Sequence, residues 1–372
     1  MASVSKSKAF RWEILPALPT RRVYCTLVAC GDLLYVMGGC DAVGNPLDSV
    51  EAWPLEGGRT WERLPPMPTA RAGVGAVAMG KLVFALGGVG LYHRPVPAVE
   101  AYGADHKCWS SRSQMPEAIM GMAIAVRDCC FYLAGGMAND TSPLSSLWEY
   151  DTLHDEWKAL PPMPTSRYGA VACIRGNSLY ILGGRQCKQS ITALESFDLD
   201  TQAWTCLPSM TSKRSFSGYV STDDMIYSLG GLERPSLRNY HLRPTFVSTV
   251  EFFDIQQGIW LKSSKVPNMK KKRADFVAAC LGGRVVVVGG LESSQLHPDF
   301  SILPRQSHLH TNLLAQFIHL PSVHLLHFRN PHHPVVLTNL QPLLLSLCQC
   351  HHFETVKETS QSHWDKLRHY TQ

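Results

Sequence analysis

Helical periodicity is missing from this chain of 372 residues. No stretch repeats its apolar residues at the three-and-four spacing of a helix face, which excludes a helical bundle and an α/β sandwich. The first eight residues, Met1 to Lys8, hold no apolar core, so no signal peptide is expected. The most apolar stretch near the end, residues 335–347, is broken by Pro342 and too short to span a bilayer, so no membrane partner is expected. Twelve cysteines form no disulfide-like framework, and several fall in predicted strands; reduced thiols in a cytoplasmic protein are the expectation. A net charge of +5, spread thinly, is too weak to imply a nucleic-acid partner.

Chemistry-bearing patterns are absent too. There is no nucleophile elbow, phosphate-cradling loop or paired catalytic carboxylate, so the chain is predicted to be no enzyme and to need no cofactor. The run Gly58, Arg59, Thr60, Trp61 matches the end of a sialidase Asp-box once, but Pro54 and Glu56 stand where Ser and Asp are needed. His93, His106, His154 and His241 are not grouped as metal ligands, and Cys348, Cys350, His351 and His352 match no zinc spacing, so no metal is expected. Residues 291–372 contain no glycine but twelve of the 16 histidines.

What is present is a repeat. Six glycine pairs fall at near-equal intervals: Gly38 and Gly39, Gly87 and Gly88, Gly135 and Gly136, Gly183 and Gly184, Gly230 and Gly231, Gly289 and Gly290. Their first members are 49, 48, 48, 47 and 59 residues apart. Trp12, Trp61, Trp109, Trp157 and Trp204 each precede a pair by 26 residues, and Trp260 by 29. A locked phase over six units makes repetition the first fact about the fold. Each unit reads as four short strands. The best copy, in residues 167–207, has a small apolar first strand, turn chemistry at Arg175, Gly176 and Asn177, and a continuous apolar second strand ending at the glycines. An alternating third strand ends near an aromatic residue, and the tryptophan opens the fourth. The third-strand aromatic recurs as Trp53, Tyr102, Tyr150, Phe197 and Phe253, and Pro-Met-Pro corners follow at residues 66–68 and 162–164. A sheet of about 48 residues cannot bury both faces alone, so such sheets are predicted to stack radially.

The glycine pair, downstream aromatic and spaced tryptophan resemble the Kelch repeat. That resemblance implies an all-β propeller of four-stranded antiparallel blades, with seven blades in the family. Here five complete units and the first two strands of a sixth are counted, giving a propeller over residues 9–290 and a non-repeating, His- and Leu-rich tail over 291–372. The strand at residues 10–16 is predicted to close the last blade. A ring short of strands would expose edges and apolar faces.

The connections between blades and the loops after each glycine pair (residues 40–49, 89–98, 137–146, 185–192 and 232–249) are predicted to share one face. Arg21, Arg22, Arg71, Arg167, Arg214 and Arg273 precede the first strands, and Arg185 follows a glycine pair; repeat three has Ile119 and Met120 instead. Guanidinium groups suit carboxylates, so these arginines are candidate contacts to an acidic peptide segment. The alternative is that they bond carbonyls and carboxylates between blades and serve the repeat itself. The basic run Lys270 to Arg273 reads as a solvated turn. The Kelch resemblance implies a non-catalytic protein-interaction module or scaffold in the cytoplasm, with a link to cell division and the midbody. A second reading is the substrate-recognition subunit of a cullin-type ubiquitin ligase; repeats that begin near residue 10 leave no room for an adaptor domain before them.

Overall fold

A computed structural model describes residues 12–15, 17–54, 59–186, 189–222, 224–233, 245–261, 268–274, 276–281, 284–288, 291–292 and 323–327. Six four-stranded antiparallel sheets run through them. Blade 1 is Thr26–Cys30, Leu33–Met37, Val50–Pro54 and Glu62–Leu64. Blade 2 is Gly75–Met79, Leu82–Leu86, Val99–Gly103 and Cys108–Arg112, and blade 3 is Ala123–Arg127, Cys130–Ala134, Leu147–Asp151 and Glu156–Leu160. Blade 4 is Val171–Arg175, Ser178–Leu182, Leu194–Asp198 and Ala203–Leu207, and blade 5 is Gly218–Ser221, Met225–Leu229, Val250–Asp254 and Ile259–Leu261. The single helical piece among the described residues is a 3-10 turn, Leu91–His93.

Burial grades outward through each blade. The first strands of blades 1, 2, 3 and 4 are neighbours in turn around the axis, and Val277–Leu281 neighbours the first strands of blades 5 and 1. Second strands are apolar nearly throughout because both their faces are covered: Leu34, Tyr35, Val36 and Met37 in blade 1 are all buried. Fourth strands are mostly exposed, as in Cys108–Arg112. One apolar cluster joins Val28 and Val36 of blade 1, Ala76 of blade 2, Val220 and Leu229 of blade 5, and Val285 and Val287 beyond it, so the ring closes through its core.

The sixth blade begins with the two strands that the sequence reading gave it, and the amino-terminal strand joins the same sheet as expected. Val277–Leu281 and Arg284–Val288 are followed in the sheet by Val323–His327, and Trp12–Leu15 lies outermost. The residues taken as a non-repeating tail thus supply a third strand. Its register continues the repeat. Positions two before the first glycine pair with Glu51, Glu100, Trp148, Glu195 and Glu251 in blades 1 to 5, and with His324 in the sixth. The backbone groups of Arg284–Val288 demand a partner, and a strand of any suitable alternation can meet that demand. Gly289 and Gly290 lie outside the described residues.

Candidate partner-binding face

The glycine pairs place everything on this face. Gly38, Gly87, Gly135 and Gly230 have φ between 55° and 60°, a region side chains avoid. A Cβ on Gly38 would stand 2.5 Å from the Arg71 carbonyl oxygen, and one on Gly135 would stand 2.4 Å from that of Arg167. The second glycines close the seam: Gly39, Gly136 and Gly231 donate their N–H groups to the carbonyls of Arg71, Arg167 and Arg273 at 2.8–2.9 Å. Three seams therefore join the glycine pair of one blade to the arginine of the next, and in a fourth Gly88 donates to the carbonyl of Ile119 instead.

The arginines themselves turn inward, which corrects the expected contact surface. Arg22, Arg71, Arg167, Arg214 and Arg273 are all buried, and Arg71 and Arg167 have no exposed surface at all. In blade 1, Arg22 donates to the carbonyls of Gly38 and Ser49 at 2.8 and 3.0 Å and pairs with Glu51 at 2.8 Å. Arg167 repeats this with Gly183, Ala193 and Glu195, and Arg214 with Gly230, Thr249 and Glu251. Arg71 does so with Gly87, Ala98 and Glu100. The hydroxyl two residues earlier, on Thr20, Thr69, Thr165 or Ser212, donates to the same glutamate. Burial pushes the Arg71 and Arg167 guanidinium groups down from their usual pKa, and Glu100 and Glu195 oppose that shift. A group with no exposed surface cannot touch a partner. These side chains are struts that satisfy the carbonyls at the strand ends.

The sequence reading missed the glutamates. The signal was there: Glu51, Glu100, Glu195 and Glu251 follow their arginines by 28 to 37 residues in one fixed third-strand position. Repeat three is the telling case. Where arginine is expected it has Ile119, buried, and where glutamate is expected it has Trp148, which packs on the same cluster. Both partners of the ion pair are replaced together by apolar residues.

What remains open on the face is loops. Each connection into a blade pairs with the residue after a glycine pair: Val23 with Cys40, Ala72 with Val89, Met120 with Met137, and Tyr168 with Arg185. Connections and post-glycine loops thus lie side by side. Three loops have five-residue tips closed by a backbone bond of 3.0–3.1 Å, at 41–45, 90–94 and 138–142. On the first two tips stand Val43 (70% exposed), Leu91 (65%) and Tyr92 (90%), three of the four exposed large hydrophobic residues among those described. Tyr92 and His93 both have positive φ, 65° and 56°, an uncommon conformation for residues with side chains.

Nearer the axis, Tyr24, Gly73, Gly121, Gly169 and Phe216 occupy equivalent ring positions with φ of 52–62°. The N–H groups of Gly73, Gly121 and Gly169 donate in turn to the carbonyls of Tyr24, Gly73 and Gly121. A Cβ on Gly73 or Gly169 would meet nothing within 4 Å, so these positions face open space. Two of the five carry aromatic side chains instead. The Arg185 guanidinium lies 4.5 Å from the Phe216 ring centre and 5.9 Å from that of Tyr168. Of the expected arginines, Arg185 is half-buried and Arg21 exposed. In the basic run Lys270 and Lys272 are exposed, and Arg273 is turned in.

The tryptophans tie blades together from outside. The indole N–H of Trp109 donates to the carbonyl of Pro65, and those of Trp157, Trp204 and Trp260 to Ser113, Pro161 and Pro208, at 2.8–3.1 Å. Trp61 lies tilted against Trp53 of the same blade, with ring centres 5.3 Å apart. Met67, Met115, Met163, Met210 and Met269 are buried at the corners.

Radial four-stranded sheets locked by glycine pairs, buried arginines and inter-blade tryptophans define a β-propeller of the Kelch type. Residues 102–290 match the KLHDC2/KLHL20/DRC7 Kelch-repeats domain, over half the chain, and residues 21–68 match the Kelch motif. The chain belongs to the Kelch-repeat family. It is 48% identical over 107 residues to Kelch domain-containing protein 8B of Rattus norvegicus, covering 29% of this chain and 30% of that one. The human protein of that name is 47% identical over 107 residues, with the same coverage. The matched stretch is thus less than a third of these relatives' length. A solved structure, YjhT, superposes with a TM-score of 0.65 at 16% identity, covering 75% of this chain and 93% of that one, a likeness of fold alone.

Proposed function

We propose that this chain is a non-catalytic protein-interaction module that grips a partner segment on the loop-built face. The observation that carries the reading is the exposure of Val43, Leu91 and Tyr92 on loop tips of two successive blades, where binding residues concentrate. Arg185 with Phe216 and Tyr24 at the axis, and exposed Arg21 beside blade 1, give the face its basic and aromatic character. A partner segment that offers an apolar anchor and carboxylates fits that combination. The cytoplasm is the compartment this reading assigns. Among the described residues eight cysteines are free, three of them buried, which suits a reducing environment. A role in cell division rests on the Kelch resemblance.

The test is quantitative affinity capture with the native chain and a Leu91→Ser, Tyr92→Ser variant. Proteins retained by the native chain should be lost at least tenfold from the variant, with thermal unfolding unchanged. Equal capture by both would remove the loop face from consideration.

A further inference from the structure

The buried arginines mark one position in the links between blades, and the residue just before that position divides the ring in two. Before Arg71, Ile119 and Arg167, in the links into blades 2, 3 and 4, stand Ala70, Ala118 and Ser166. Before Arg214, Arg273 and Arg22, in the links into blades 5, 6 and 1, stand Lys213, Lys272 and Arg21. These three cations are exposed, as is Lys270 two residues before Lys272. Val277–Leu281 lies between the first strands of blades 5 and 1, so the cationic links are consecutive around the axis.

The charge at this half of the surface belongs to these residues and not to the arginines that follow them. Arg22 and Arg214 are turned inward onto Glu51 and Glu251. Among the described residues none of Arg21, Lys213, Lys270 and Lys272 has a carboxylate partner. On the loops and links of this half two exposed carboxylates, Asp48 and Glu233, face four exposed cations. The opposite side, at blade 3, exposes Glu117 and Asp140. Each link cation is covalently next to a buried side chain, which pins the backbone that carries it and lowers the ordering cost of binding. Like charges gathered on one side of a rim steer and orient an oppositely charged segment.

We propose that the half of the face over blades 5, 6 and 1 receives the acidic stretch of a partner peptide, with Arg21, Lys213, Lys270 and Lys272 as its contacts. The tips that bear Val43, Leu91 and Tyr92, on blades 1 and 2, take the apolar anchor of the same segment. This rests on the reading of the loop-built face as a partner-binding surface, and it adds which residues meet the carboxylates and which way the segment lies. Glu117 and Asp140 repel an acidic stretch laid the other way.

The test is selection from a displayed library of random twelve-residue peptides on the full chain, followed by affinity measurement with the selected peptides. Recovered peptides should be enriched in Asp and Glu over the input library. Their affinity should fall at least tenfold for the variant Arg21→Glu, Lys213→Glu, Lys272→Glu, and less for the corresponding Gln variant. Thermal unfolding should be unchanged in both, because the three side chains are exposed. The variant Lys81→Glu, Lys107→Glu, Lys158→Glu makes the same change of net charge at exposed positions off this face and should bind as the native chain does. Peptides without an acidic excess overturn the proposal, and if their binding needs Leu91 and Tyr92 the protein-interaction reading still stands. Acidic peptides held equally by the first variant, or lost equally from the off-face variant, overturn it as well. Acidic peptides that need Arg21, Lys213 and Lys272 but ignore Leu91→Ser, Tyr92→Ser keep the cationic site and remove the apolar anchor. Recovery of no peptide overturns both readings.

Discussion

At the scale of the residue, the decisive feature is a buried arginine paired with a buried glutamate. Removing one partner strands a charge without exposed surface, a loss of about 3–5 kcal/mol. Arg71→Ile alone should therefore lower the denaturant midpoint sharply. Blade 3 shows the compensated form, with Ile119 and Trp148 in the two positions. The double variant Arg71→Ile, Glu100→Trp should recover a measurable part of that loss, and a double variant no better than the single would refute coupling. Cysteine reactivity follows from burial in the same way. Burial raises the thiol pKa of Cys30 and Cys173 to about 11, and burial with Glu149 raises that of Cys130 to about 12. Cys108 and Cys206 are exposed. Brief alkylation near pH 8, read by peptide mass, should label Cys108 and Cys206 well before the other three. Asp198 adds a pH effect with a definite sign. The backbone N–H and hydroxyl of Thr201 hold its carboxyl below the ordinary range. The stabilisation is present above the usual aspartate pKa and fades as pH falls through the depressed one.

At the scale of the element, the blade is a sheet that cannot stand alone, and its seams repay perturbation more than its strands. Gly135→Ala would add a Cβ 2.4 Å from the Arg167 carbonyl at φ of 59°. Gly169→Ala would meet no atom within 4 Å at φ of 61°. The first should cost about 3 kcal/mol, from conformation and overlap together, and the second about 1 kcal/mol from conformation alone. Thermal unfolding of the pair separates the two causes. Trp204 is a seam from the outer side. Trp204→Phe keeps an aromatic ring against Phe197 but removes the indole donor to Pro161, a loss of about 1–2 kcal/mol.

At the scale of the whole molecule, stability depends on closure. The core cluster runs from blade 1 through Val285, Val287 and Val288 to blade 5, so the sixth blade is the keystone. Deleting residues 293–372 removes the third strand and, with it, the pairing of Trp12–Leu15. Amide exchange should then become fast in Trp12–Leu15 and faster in Arg284–Val288, while Leu82–Leu86 in blade 2 keeps its protection. Unchanged protection of Trp12–Leu15 after the deletion would mean that another strand pairs with it.

The sequence by itself determined the blade. Glycine pairs, tryptophans and third-strand aromatics recur at one period, and a locked period leaves one stable solution, radial stacking. Five blades were legible for that reason. The exposed loop tips were located only as ranges, because burial of a single Leu or Tyr on a loop depends on local backbone angles that composition does not set. Tertiary structure decided two further things. The arginines were legible as a repeated basic position, but whether a guanidinium faces water or a carboxylate depends on a glutamate about thirty residues away, brought near only when the third strand pairs. The closing strand, Val323–His327, carries no repeat motif. Its place is set by the unpaired edge of Arg284–Val288 that it completes, a demand that exists only in the folded ring.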